Sequence, residues 1–241
     1  MRTPHLASTV ERRLLVNYRT DPDTTARLLP PRLRPQLVRG HAVAGLCLLR
    51  LGDVRPARAP GWTGLRSENA AHRIAVEWDG PDGVEAGVYI TRRDTASRIN
   101  AWAGGRIFPG AHGLADFRVD ESAGKLSVAF TTHDGAVHAE VTAAPADRLD
   151  GSVLFDGLAA ASAFFRTGSR GWSPAREPGR LDGMQLRTDA WHVEAAVAHS
   201  AASSFFDDPE RFPPGSAELD CTLLMRGVPA RWQALPPLQA A

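Results

Sequence analysis

The sequence predicts a single β-rich α+β domain: a mostly antiparallel sheet, closed or sandwich-like, that carries a few peripheral helices. Short runs alternate between apolar and polar residues, tight-turn signals separate them, and few segments have helical spacing. The chain has 241 residues, of which 43% are hydrophobic and 23% charged, enough for one sizeable core. No repeat, low-complexity tract or linker divides residues 1–241, and residues 1–8 and 236–241 are expected to be flexible ends.

In chain order, Asp21 reads as an N-cap with Pro22 at the first helical position and Pro30-Pro31 as a stop, which gives a helix over 22–28. Gly40–Leu51 is dominated by small and branched apolar residues and reads as a strand. Ile74–Trp78 alternates, turns at Asp79-Gly80-Pro81-Asp82-Gly83 and returns as Val84–Thr91. Lys125–His133 and Val137–Ala143 flank Asp134-Gly135, a dipeptide suited to a two-residue type I′ hairpin. Phe155–Arg166 puts Leu158, Ala161, Phe164 and Phe165 on one face and ends before Gly168, which gives a second helix. Met184–Arg187, Trp191–Ser200 and Glu218–Met225 read as further strands, and Asp207–Phe212 as a short turn.

A net charge of +1 provides no field to draw nucleic acid or an anionic membrane. The N-terminal segment has no apolar signal core and no run is long enough to span a bilayer, so a cytoplasmic protein is expected. Cys47 and Cys221 lie in apolar runs and read as buried free thiols. No phosphate-binding, dinucleotide-binding, nucleophile-elbow or Cys-x-x-Cys motif is present, so no cofactor is expected. His133 and His138 flank the expected hairpin turn on one face, but without a third ligand they do not make a metal site, and none is expected.

Several stretches together carry a family resemblance. Asn17-Tyr18-Arg19-Thr20-Asp21 before a helix ending at proline, Leu37-Val38-Arg39, Ser67-Glu68-Asn69-Ala70-Ala71 and Phe108-Pro109-Gly110 resemble acetoacetate decarboxylases over nearly the whole chain. Arg92-Arg93-Asp94-Thr95, Gly104–Gly110, Gly168–Ser173 and Leu223-Leu224-Met225-Arg226 are similar to an uncharacterised YqjF-like branch of that superfamily. The resemblance implies a cone-shaped, mostly antiparallel β-barrel with an internal small-molecule cavity. In the decarboxylases a tyrosine-proline-lysine segment supplies a Schiff-base amine, and Gly110 stands where that lysine would be. The sole lysine, Lys125, lies in a turn and is expected to be solvated, so imine chemistry does not come with the fold.

The resemblance also places Glu68 and His41 at acidic pocket positions of the family, which makes them the candidate catalytic groups. A competing reading pairs Glu68 structurally with Arg73 or Arg66. Arg92, Arg93, Arg98 and Arg106 are candidates to clamp a carboxylate, with Asn69 and His72 beside them. Adjacent strand residues face opposite ways, so at most one of Arg92 and Arg93 can point inward. Arg12 and Arg13 lie near the position of the family's pocket arginine, each off by a shift, and His112 is a further proton carrier to consider. The expected partner is a small anionic or carbonyl-containing metabolite, and a homo-oligomer is compatible with the sequence. The expected function is lyase-like acid–base chemistry on an oxo-acid. The alternatives are a non-catalytic binding protein with the same cavity and an interaction module with a filled barrel.

Overall fold

Fifteen residues of alternating burial, Leu6–Thr20, form the first strand, β1, in the computed structural model, which describes residues 5–106, 109–122 and 124–240. The short helix α1 (Pro22–Ala26) follows, with the Asp21 carboxylate accepting from the Thr24 amide as its cap. Two short strands, β2 (Arg34–Pro35) and β3 (Leu37–Val38), lead to β4 (His41–Pro56), β5 (Leu65–Gly80) and β6 (Gly83–Thr95). Then come α2 (Arg98–Ala103), β7 (Gly113–Ser122), β8 (Lys125–Thr132), β9 (His138–Ala146) and α3 (Leu158–Thr167). The chain finishes with β10 (Arg170–Pro174), β11 (Arg180–Arg187), β12 (Glu194–Ser203) and the long β13 (Ala217–Gln239). The β-rich, mostly antiparallel expectation holds; β6 pairs in parallel with β7 and β10. Among the described residues no helix is long and apolar enough to cross a membrane.

The sheet is built around one wall, β13-β1-β4-β5-β6, whose outer strands each fork. Along one edge β13 pairs with β12 through Thr222–Leu224 and with β11 through Arg231–Gln239. Likewise β6 pairs with β10 through Val88-Tyr89 and with β7 through Asp94-Thr95. Two rings of hydrogen-bonded strands result. One closes the wall through β10 and β11, and the other through β7, β8, β9 and β12. Every wall strand therefore sends alternate side chains into different rings.

The larger ring is filled. Leu14, Leu46, Leu48, Ile74, Val128, Phe130, Val141 and Leu224 form one buried cluster, and Phe205, Phe206 and Phe212 join it. Phe206 stacks on Tyr18 at 4.0 Å between ring centroids. A second cluster lies on the other side of the wall, where Leu15, Cys47, Leu223 and Met225 meet Phe155, Ala161 and Phe165 of the α3 region.

Local expectations fail in two places. Asp134-Gly135 is not a two-residue turn: Thr131 pairs with His138, and Gly135 N donates to Thr132 O inside a longer loop. Only Gly135 there is left-handed, at φ 69°, because the Asp134 carboxylate instead accepts from Thr132 Oγ1 and the Ala136 amide. His133 thus leaves the strand and contacts Asp116. The two-residue turn with both φ positive occurs at Arg39-Gly40, between β3 and β4. Leu6–Ser8 and Pro236–Gln239, expected as flexible ends, belong to paired strands.

Candidate ligand-binding site

Register across the wall decides what each ring receives. Leu15 pairs with Cys47, Cys47 with Ala71, and Ala71 with Arg93, so these four share a row and a face. The neighbouring rows on that face hold Arg13, Leu49 and Asn69 on one side and Asn17, Gly45 and Arg73 on the other. All of them face the smaller ring, and that ring is not filled. Two adjacent openings of about 110 Å³ and about 80 Å³ share Leu49, Ala71, Arg93, Met184 and Trp232 in their linings. Each of the seven strands of this ring contributes to the lining, with Gly171 from β10 and Trp232 from β13 completing the circuit. A liquid water occupies about 30 Å³, so there is room for a molecule of several heavy atoms.

Three arginines line this cavity: Arg13 and Arg73 in one lobe, and Arg93 in both. Arg73 is only 4% exposed; its Nη2 donates to Asn17 Oδ1 at 2.5 Å, its guanidinium lies 4.8 Å over the Phe165 ring, and its Nε has no partner. Arg93 Nε donates to Ser173 Oγ at 3.1 Å, and Arg13 Nε to Cys47 Sγ at 3.1 Å. None of the three has a carboxylate partner among the described residues. Burial lowers both Arg73 and Arg93 to about 10, which still leaves each charged at neutral pH. Gly45 makes room for this arrangement, since a Cβ there would lie 2.7 Å from Val16 O and 3.3 Å from Arg73 Nη2.

His112 lines the same cavity beside Asn69, Asn100 and Arg93. Burial, and then the Arg93 charge, lower it to about 4, so it is neutral at pH 7. Its Nδ1 lies 3.0 Å from Gly110 O. A carbonyl oxygen only accepts, so the proton sits on Nδ1 and Nε2 keeps its lone pair. Gly110 itself borders the site. A Cβ there would come 3.0 Å from Arg93 Nε, and the backbone is left-handed at φ 81°, where glycine is favoured. The Phe108 of its motif lies outside the described residues.

Of the residues named from sequence, Arg93, Asn69, His112 and Arg13 line this cavity. Glu68 does not. It shares the face of Leu14, Leu48 and Ala70, and its carboxylate is held at 2.5 Å by both Arg12 and Arg50. Both arginines also reach Glu121, which closes a four-residue ion network at the end of the filled ring. The partners are neither Arg73 nor Arg66; Arg73 faces the other ring and Arg66 pairs with Glu11. His72 is fully buried on the filled side, stacked 4.6 Å from Phe205 with Nε2 at 3.1 Å from Ser203 Oγ, and burial lowers it to about 3. Arg92 pairs with Asp94 and Asp134 instead of entering the cavity. Arg98 is exposed on α2, Arg106 donates to Trp102 O at the surface, and His41 lines a separate cleft near Arg19 and Glu218. Arg73 and Cys47 were not singled out from sequence for this site, and Arg13 came near the family's pocket arginine only by a shift; cross-strand register is the signal that assembles all three.

The profile of DUF2071, described as an uncharacterized conserved protein, matches residues 7–216. No curated protein matches the sequence. Among solved structures, the enduracididine biosynthesis enzyme MppR complexed with pyruvate is similar over 100% of this chain and 91% of its own, with TM-score 0.61 and 16% identity. Acetoacetate decarboxylase from Legionella pneumophila is similar over 98% of this chain and 88% of its own, with TM-score 0.62 and 12% identity. An acetoacetate decarboxylase-like enzyme from Sphingomonas wittichii RW1 covers 99% of this chain and 93% of its own, with TM-score 0.57 and 13% identity. At these identities the likeness is one of fold.

Proposed function

This chain belongs to DUF2071, a family of uncharacterized conserved proteins, and has an acetoacetate-decarboxylase-like fold; from that premise we propose a small-molecule enzyme that performs lyase-like acid–base chemistry on an oxo-acid or related carbonyl compound without a Schiff-base lysine. In this reading the smaller ring is the cone-shaped barrel of the superfamily, and its interior is the substrate cavity. One observation carries the proposal. Arg13, Arg73 and Arg93 all line the smaller opening, whose lining holds no carboxylate among the described residues, and Asp94 in the adjoining opening is already paired with Arg92. Uncompensated buried charge is costly, and a bound carboxylate would offset that cost. The pyruvate bound by MppR is a ligand of the size and charge this cavity suits.

His112 is the proton carrier in this scheme. Its free Nε2 can accept a proton from a carbon next to the ligand carbonyl. A carboxylate on Arg93 would cancel the repulsion that contributes to the lowered value of about 4, and so raise His112 toward the useful range. Gly110 has no amine to form an imine, and the exposed Lys125 opens β8 away from the cavity lining.

Exchange of the pyruvate methyl protons for deuterium, followed by NMR in D2O, tests the acid–base reading. We expect exchange above the buffer rate and a loss of about 100-fold in His112→Gln. Borohydride in the presence of pyruvate should leave Lys125 unmodified. Tight pyruvate binding with no exchange would favour the second reading, a non-catalytic binding protein. The engagement of Glu68 by Arg12 and Arg50 is consistent with that second reading, because it takes the one carboxylate retained at the family's acidic positions out of the cavity.

A further inference from the structure

The cavity holds a nucleophile that the acid–base scheme does not use. Cys47 sits in the middle of β4, in the same row as Ala71 and Arg93, with Arg13 and Arg73 in the two flanking rows. Its sulfur accepts from Arg13 Nε–H at 3.1 Å, and the residue lines the lobe that Arg73 and Arg93 also border. The guanidinium groups of Arg13, Arg73 and Arg93 line the opening that this sulfur borders, so an anion held there would meet the thiol. An independent feature points to a ligand at the same place: Arg73 is 4% exposed and its Nε lacks a partner.

We infer that Cys47 adds reversibly to the carbonyl carbon of a small oxo-acid whose carboxylate is held by Arg13, Arg73 and Arg93. The inference rests on the anion-binding reading of this cavity. In the step, the sulfur–carbon bond forms as the carbonyl π bond opens, and the thiol proton ends on the former carbonyl oxygen. The product is a hemithioketal, with no change of oxidation state and no co-reactant. Cys221 is the internal control. It lies on β13, where burial and then Asp220 push its thiol up to about 12, and it is not part of the cavity lining.

Two probes of similar size separate guided chemistry from mere access. Iodoacetate carries the anion that the arginines would hold, whereas iodoacetamide is neutral; either forms a sulfur–carbon bond with loss of iodide and a proton. Native protein is alkylated for graded times and the two cysteines are read by peptide mass. We expect iodoacetate to modify Cys47 at least 10-fold faster than Cys221 and faster than iodoacetamide does, with pyruvate slowing the reaction. We further expect [2-13C]pyruvate with wild-type protein to show a protein-bound tetrahedral carbon signal distinct from that of free pyruvate hydrate. That signal should vanish in Cys47→Ser and Cys47→Ala, with folding of each variant checked by its melting transition. If pyruvate binds by titration calorimetry but Cys47 resists both reagents and no protein-bound tetrahedral carbon forms, the nucleophile is overturned and the anion cavity stands. If pyruvate does not bind either, both readings fall. Faster labelling by iodoacetamide without pyruvate protection would mark an accessible thiol with no anion guidance, which also overturns the inference.

Discussion

The two rings share a wall of five strands, yet its two faces differ in how they handle charge. On the filled face Arg12, Arg50, Glu68 and Glu121 neutralise one another at the end of an apolar core. On the hollow face Arg13, Arg73 and Arg93 have neutral partners: a thiol, an amide and a hydroxyl. Sequence neighbours are divided between the two, with Arg12 apart from Arg13, Glu68 from Asn69, and Arg92 from Arg93. Charge that is balanced within the protein reads as structure. Charge left unbalanced around a cavity reads as a site waiting for an anion.

Stability measurements can break this contrast. Leu46→Ala in the filled ring should cost about 3–4 kcal/mol by chemical denaturation, because Leu46 is 1% exposed and its loss leaves a void. Arg12→Met should cost about 2–3 kcal/mol, since it strips one cation from Glu68 and Glu121 while Arg50 remains. Arg73→Met should instead be neutral or stabilising by about 1 kcal/mol, because it removes a buried charge with no countercharge. Equal losses in Arg12→Met and Arg73→Met would erase the distinction between the faces.

Acid should sharpen it. His72 and His112 are both neutral in the folded protein, with values lowered by burial to about 3 and about 4. The unfolded chain takes up protons near the ordinary value of 6.5, where the folded protein does not. Stability is therefore full above pH 6.5 and falls as pH drops toward the folded values, by about 1.4 kcal/mol per pH unit for each histidine. At pH 5, His72→Leu should recover about 2 kcal/mol of the loss measured from neutral pH in wild type. A loss of the same size in His72→Leu would show that His72 is not the buried neutral group described. The smallest effect is local. Gly135→Ala, at φ 69°, should cost about 1 kcal/mol and leave pyruvate affinity unchanged.

Much of the fold was legible, for reasons visible in particular segments. The helix at Asp21-Pro22 carries its cap in the sequence, and the β5–β6 hairpin carries its turn at Pro81-Asp82. β1 was not legible, since Glu11, Arg12 and Arg13 interrupt it with charges that look solvated. Arg12 is in fact 2% exposed, and its partners come from positions 68 and 121, a pairing that no local pattern contains. The same applies to the site. Strand alternation showed that only one of Arg92 and Arg93 could turn inward, but only register reveals that Arg93, Cys47 and Ala71 share a row. Glu68 was assigned a cavity role by resemblance, and one step of alternation puts it on the other face.

The central claim is that unbalanced arginines, and not Glu68, make the ligand site, and pyruvate titration calorimetry on three proteins tests it most directly. Wild type and Glu68→Gln should bind pyruvate with affinities within about 2-fold of each other, while Arg93→Met should lose at least about 10-fold, a difference of about 1.4 kcal/mol. Unchanged binding in Arg93→Met together with lost binding in a folded Glu68→Gln would contradict the account.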